Sequence, residues 1–431
     1  MQESFSKNEN TSKKNSPYWT PQKRSDLLVL IRNLINQKYI IPEIAKKLDE
    51  YLSSAENLRQ FIEIPDPILF AQTLTEKLQR ESKDFHFWIE YSSTPKISSG
   101  EHKDEKIETE IEKDLYFNLQ KYRNGNLIEV KRLPGNIGYF RLDEFPEVEL
   151  FGETFLAGMR FLENTDAIIF DVRYNGGGNA DFVQIMVSYF FEGDPKLLYH
   201  FEDTESTEIV QMWTLPLVGV KKQPKKIISI LTSGRSASGA EDFAYTMQSQ
   251  NRAKIVGEPT RGAANNPKLF FLDDHFSIEL PIGRPVNAVT NTNWEQKGVI
   301  PDLKVSQEKA LESAHLDLIN QMKEKIENPA VKKLLEFEMG YVHAYYSAQE
   351  ISKELASTLT GDYGPSSVRY QEGQLYFTRK NLIFPLKTVD FLNYYCNEQQ
   401  RIQFKTDTEG NYLLLEIRDY ENPLKLKKKI P

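Results

Sequence analysis

The sequence predicts an α/β core with a mainly parallel sheet, preceded by a helical domain and followed by a small antiparallel β domain. Three observations carry this expectation. Apolar residues recur at helical spacing through the first part of the chain. Short apolar strands alternate with longer helical stretches through the middle. The last part shows short alternating strands broken by Gly-containing turns. The boundaries read as a disordered polar N-terminus over 1–25, a helical domain ending in a strand over 26–92 and a charged linker over 93–125. The α/β core follows over 126–306, then a helical connector over 307–354 and the small β domain over 355–431.

The lead-in "MQESFSKNENTSKKNSPYWTPQKR" has no apolar stretch of the signal-peptide kind and too little apolar content to fold. The expectation is a cytoplasmic protein, or one whose export signal was removed earlier. "LLVLIRNLINQKYIIPEIAKKLDEYL" and "PILFAQTLTEKLQ" read as amphipathic helices, and "DFHFWIEYS" (Asp84–Ser92) as a strand. Residues 95–114 are polar and charged, which suits an exposed connection. Core strands are expected at Ile137–Phe145, Asp166–Arg173, Lys225–Ser233 and "AKIVGEPT". Between them "ETFLAGMRFLEN", "ADFVQIMVSYFF" and "AEDFAYTMQSQ" are helical. Ligands of such sheets bind at the carboxyl ends of strands, and the unusual loops 174–179 and 232–240 fall at that edge.

Composition narrows the function. The chain has 431 residues and a formal net charge of -8 with scattered basic residues, so the basic stripe of a nucleic-acid binder is missing. "KLKKK" at 425–429 reads as a solvated tail. The single cysteine, Cys396, forms no disulfide framework, and the six histidines show no HExxH spacing, so no metal or other cofactor is expected. No run approaches the roughly 20 apolar residues that span a bilayer.

"LTSGRSASGAEDFAYTMQ" (Leu231–Gln248) crowds Ser233, Ser236 and Ser238 between an apolar strand and a helix. Serine is a preferred helix cap, and the local string alone favours that role for all three. A nucleophilic serine needs a base and donors for an oxyanion. The Gly239 N–H, at the start of a helix, suits the second need, whereas Glu241 and Asp242 suit the helix N-terminus. "DVRYNGGG" (Asp171–Gly178) is a tight strand-to-helix turn or a second donor loop, and it lacks the nucleotide-binding glycine patterns.

Together, "SGAE" after an apolar strand, "DxRxNxGG" upstream and "GEPT" downstream resemble the S41 family of serine peptidases, which includes the C-terminal processing (tail-specific) proteases and the tricorn core. "TNWEQKGVIPD" (Thr292–Asp302) and the N-terminal part ending in "DFHFWIEY" resemble the tricorn-like branch and the modules of interphotoreceptor retinoid-binding protein. The resemblance implies a ClpP/crotonase-like sheet and a serine endopeptidase of the carboxy-terminal processing type, acting on peptides or unfolded protein segments. It implies Ser238 as nucleophile, His86 as general base and Glu295 in the relay that orients the base. It further implies Gly177 and Gly239 as oxyanion-hole donors, with Gly178 beside them.

The chain departs from the family at three places. Ala263 stands where Ser–Lys members carry lysine, and Lys268 lies five residues on. Phe85 stands where tricorn-like sites carry serine before the histidine. The stretch 93–125 is too short for the PDZ domain of the processing proteases. His86, between Phe85 and Phe87, also reads as a core histidine when taken alone. Asp84 rivals Glu295 as the orienting acid. The alternative function is a non-catalytic module that binds an apolar ligand or a peptide on the same fold.

Overall fold

The computed structural model describes residues 18–95, 110–346, 351–390, 392–398, 400–418 and 424–427. The polar N-terminus up to residue 17 lies outside these, as do residues 96–109 of the linker expected over 93–125 and the side chains of the basic tail; the later part of that linker is instead the helix Glu110–Tyr122. The chain forms two compact units, one made of the segment to Leu119 with Lys196–Thr214 and Gly262–Gly298, the other of the remainder.

In the first unit, helices Pro21–Lys38, Pro42–Ser53 and Pro67–Ser82 each begin with proline, which needs no hydrogen bond in the first turn. The side chains of Thr20 and Asp66 cap two of them. A fourth, Ala55–Ile62, lies between. Their apolar stripes, including Leu27, Leu28, Ile31, Ile35, Leu74 and Leu78, are fully buried against Phe276, Ile278 and Leu280. Those residues lie on the long strand Phe276–Asn287 of an antiparallel five-stranded sheet. Trp88–Tyr91 and Asn266–Phe271 flank its first half, and Leu197–Asp203 then Val210–Trp213 continue from its second half. The strand expected over Asp84–Ser92 therefore begins only at Trp88. Lys83 adopts the left-handed conformation (φ 59°) at the helix end, and Asp84–Phe87 form a turn.

The second unit holds an α/β core, whereas Lys196–Thr214 and Gly262–Gly298 of the core expected over 126–306 belong to the first unit. Its sheet runs in the order Leu303–Lys304, Lys254–Gly257, Ile227–Thr232, Ala167–Asp171, Ile137–Leu142 and Leu127–Leu133, parallel except for the last. Strand alternation sends Tyr139 and Ile169 towards Ala314 and Leu318 of helix Gln307–Lys325. It sends Phe140 and Phe170 to the opposite face, onto Phe155, Phe190 and Phe243. Helices Val148–Phe161, Ala180–Ser188 and Gly239–Ser249 follow the strands as the pattern predicts. After helices Pro329–Tyr346 and Lys353–Leu359, two antiparallel sheets of four and five strands complete the unit around Tyr363, Phe377, Tyr394 and Phe404.

His315, on helix Gln307–Lys325, is 1 % exposed, with Nε2 at 2.8 Å from the Pro134 carbonyl and Nδ1 at 3.2 Å from the Tyr346 hydroxyl. Burial pushes its pKa down to about 4, opposed by the Pro134 carbonyl. Between that value and the ordinary value of about 6.5, the unfolded chain binds a proton that the folded chain refuses. Stability therefore falls on acidification, by about 2 kcal/mol from this group at pH 5. Denaturant titrations at pH 7 and pH 5 should show His315→Gln losing less stability than the parent chain by about that amount.

Candidate active site

The serine turn joins strand Ile227–Thr232 to helix Gly239–Ser249. Two of its three serines are structural. The Ser233 hydroxyl donates to the Arg173 carbonyl and the Ser236 hydroxyl to the Val172 carbonyl at 2.7 Å. With Ala237 N–H donating to Asn175 O at 3.1 Å, they bind the turn to the glycine loop. The Ser238 hydroxyl makes no such donation within its unit, and its backbone stands at φ 51°, ψ -118°. A non-glycine residue holds such a conformation only when its surroundings impose it. The fully buried Glu241 supplies part of that constraint: Oε2 accepts the Ser238 N–H at 2.9 Å. Glu241 Oε1 accepts the Thr260 hydroxyl at 2.5 Å, and Thr260 Oγ1 in turn accepts the Val299 N–H at 2.6 Å. The glutamate of "SGAE" and the threonine of "GEPT" are thus one clamp, beyond the helix-terminal role expected of Glu241.

The glycine loop is shaped by Asn175, whose Nδ2 donates to Leu142 O at 3.1 Å. Its Oδ1 accepts the Gly177 N–H at 2.8 Å, so the donor expected from Gly177 is committed inside the loop. Gly177 is buried and Gly178 exposed. Among the described residues, the N–H groups of Gly178 and Gly239 have no intramolecular acceptor. Gly178 N lies 3.3 Å from where a Gly239 Cβ would stand. A Cβ on Gly178 (φ +127°) would meet Phe145 O at 2.2 Å, so only glycine fits. Asp171 and Arg173 of the same motif brace the strand end: Asp171 accepts the Tyr139 hydroxyl at 2.7 Å and both prongs of Arg173 at 2.9 and 2.6 Å.

His86, Asp84 and Glu295 come together in the first unit, with one ligand atom from each within 4.8 Å of the others. This spacing would let a divalent cation touch all three. Asp84 is fully buried and accepts from Asn265 Nδ2 (2.7 Å), Tyr39 Oη (3.1 Å) and the His86 N–H (3.0 Å). Its Oδ1 stands 3.6 Å from His86 Nδ1, beyond hydrogen-bond length but inside ion-pair range. Catalytic contacts are often this loose before substrate binds. Glu295 Oε2 accepts the N–H groups of Ala264 (2.7 Å) and Asn265 (3.0 Å). Burial, then the charge of Asp84 and its hydrogen bond, and then Glu295, push the Tyr39 phenol far above its ordinary range, so it serves as a donor. Trp294 fixes the segment by donating to Ala263 O at 3.0 Å. Lys268 pairs with Glu205 at 2.8 Å. Sequence reasoning missed Tyr39 and Asn265, because nothing local marks either one.

The chain thus carries a strained serine turn at the carboxyl edge of an α/β sheet, beside the N–H groups of Gly178 and Gly239. Residues 136–305 match the model of peptidase family S41. Among solved structures, the chain is similar to a Bacteroides fragilis protein provisionally assigned as an S41 protease, at 17% identity and a TM-score of 0.41. That match covers 46% of this chain and 58% of the other, so the chain spans little more than half of that protein's length. It is also similar to mature CPAF, at 12% identity and a TM-score of 0.46, covering 74% of this chain and 98% of the other. The photosystem II D1 C-terminal processing protease matches at 13% identity and a TM-score of 0.39, covering 66% of this chain and 94% of the other. Among the described residues, no helix is long and apolar enough to cross a membrane.

Removing one donor from a buried carboxylate costs about 1.5–3 kcal/mol. Thr260→Val takes the hydroxyl from Glu241 and the acceptor from Val299, and should lower the thermal midpoint by several degrees in a calorimetric scan. Because the clamp holds the Ser238 turn, any activity of the folded variant should fall as well.

Proposed function

We propose that the protein is a serine endopeptidase of the carboxy-terminal processing type, cleaving peptides or unfolded protein segments through an acyl-enzyme on Ser238. The observation that carries this reading is the backbone of Ser238, held at positive φ beside the free N–H groups of Gly178 and Gly239. A cap needs no such strain, whereas a nucleophile presented on a sharp strand-to-helix turn does.

In this chemistry Ser238 Oγ attacks the scissile carbonyl carbon while its proton passes to His86. The oxyanion is held by the Gly178 and Gly239 N–H groups, with Gly178 taking the part expected of Gly177. Collapse of the tetrahedral intermediate returns the proton from His86 to the leaving amine, and water then repeats the steps on the acyl-enzyme. We assign the orienting of His86 to Asp84, which stands 3.6 Å from Nδ1 and is itself fixed by Tyr39 and Asn265. Glu295 adds a second negative charge and holds the loop that carries Asn265.

A fluorophosphonate probe with adduct mapping tests this directly. Ser238 should carry the label in the parent chain, and Ser238→Ala and His86→Ala should abolish it. Asp84→Asn should slow labelling about 100-fold or more, and Glu295→Gln by less. A chelator should leave the rate unchanged if the three side chains orient a base and hold no metal. A folded parent chain that takes no label would sink the proposal.

A further inference from the structure

Three guanidinium groups surround the ring of Tyr174 in the glycine loop, with Arg141 at 4.6 Å, Arg235 at 5.5 Å and Arg173 at 5.8 Å from its centroid. Two are neutralised within the fold. Arg141 grips Asp143 through two bonds of 2.9 and 2.7 Å, and Arg173 grips the buried Asp171 in the same way. Arg235 is exposed, and among the described residues its guanidinium makes no ion pair or hydrogen bond. It stands three residues before Ser238 in the serine turn, where Ser233 Oγ accepts its backbone N–H at 3.1 Å. Tyr174 directly precedes Asn175, whose carbonyl accepts Ala237 N–H at 3.1 Å. The pair therefore rides on the two loops that carry Ser238 and Gly178, beside the positive end of helix Gly239–Ser249.

We propose that Arg235, steadied on the Tyr174 ring, is a recognition site for a carboxylate of the substrate. This rests on the peptidase reading of the same loops. A guanidinium fork matches a carboxylate through two parallel hydrogen bonds, and stacking on an aromatic ring reduces the freedom lost on binding. One uncommitted positive charge matches one carboxylate, and an internal partner would have been expected had the arginine served the fold alone. A peptide presents that group either as its C-terminal carboxylate or as an Asp or Glu side chain.

The test uses the full chain with Ser238→Ala, which binds without cleaving, and a fluorescent peptide containing one internal Glu and a free C-terminus. Two derivatives, one amidated at the C-terminus and one with Gln for Glu, separate the two sources of carboxylate. Anisotropy should show one derivative binding about five- to tenfold more weakly than the parent peptide. The difference should vanish when Arg235→Gln is added, and Arg235→Lys should restore part of it. A difference that persists in Arg235→Gln overturns the proposal, as does equal binding of all three peptides or binding of none. Labelling of Ser238 in the parent chain separates the two claims. Its failure alongside Arg235-dependent binding would remove the peptidase reading and leave the carboxylate site.

Discussion

Ser238 occupies a backbone conformation that costs an L-residue of order 1–3 kcal/mol, and the neighbouring motifs make sense as the means of holding it there. Asn175 O takes Ala237 N–H on one side of the serine, and Glu241 takes the serine's own N–H on the other. Gly177 lies so close that a Cβ on it would meet Ser238 Cβ at 2.8 Å. Ser233 and Ser236 close the turn onto the carbonyls of Arg173 and Val172. Strand Ala167–Asp171 must then end where it does, and the paired Asp171 and Arg173 fix that end. Remove the strain requirement, and the crowding of special residues in both loops loses its reason.

The first unit solves a different problem, that of keeping two carboxylates close together beside an imidazole. Like charges at this range repel, and burial removes the water that would screen them. Asn265 meets the difficulty by donating its side chain to Asp84 and its backbone to Glu295. Tyr39 and the Ala264 N–H add a donor to each. Positive charge arising on the imidazole during proton transfer would then face acids that are already oriented, with little reorganisation left to do.

The α/β core was legible because its signals are local. Ile169 and Phe170 alternate on one strand, and glycines and serines mark the strand ends. The serine turn was legible for the same reason, and Glu241 stood in view as part of "SGAE". The antiparallel sheet was not, because its register pairs Phe201 with Pro285 and Trp88 with Glu279 across long stretches of chain. "DFHF" carries strand-like residues, yet Asp84 turns back to accept the His86 N–H, and side-chain capping of this kind overrides propensity. The commitment of the Gly177 N–H is not legible in the sequence, because the acceptor that takes it is a side chain two residues away. Spacing alone does not say which of three glycines faces outward.

Ala263, standing where Ser–Lys members carry lysine, finds its reason in packing. It is 3 % exposed, and the buried Trp294 closes over it by donating to its carbonyl. Gly262, at φ +85°, lets Gln296 and Gly298 approach so closely that a Cβ would lie 2.9–3.0 Å from their backbone atoms. A lysine at 263 would have to thread its chain out of this closed turn or bury its ammonium, and a buried ammonium without a partner is costly. Lys268 cannot replace it while its charge is held by Glu205. The turn that rules out lysine is the same turn that delivers Asn265 to Asp84 and Glu295. Within this unit the packing that excludes a lysine at 263 and the buttressing of Asp84 beside His86 share one turn, which is why the proposed chemistry runs through His86.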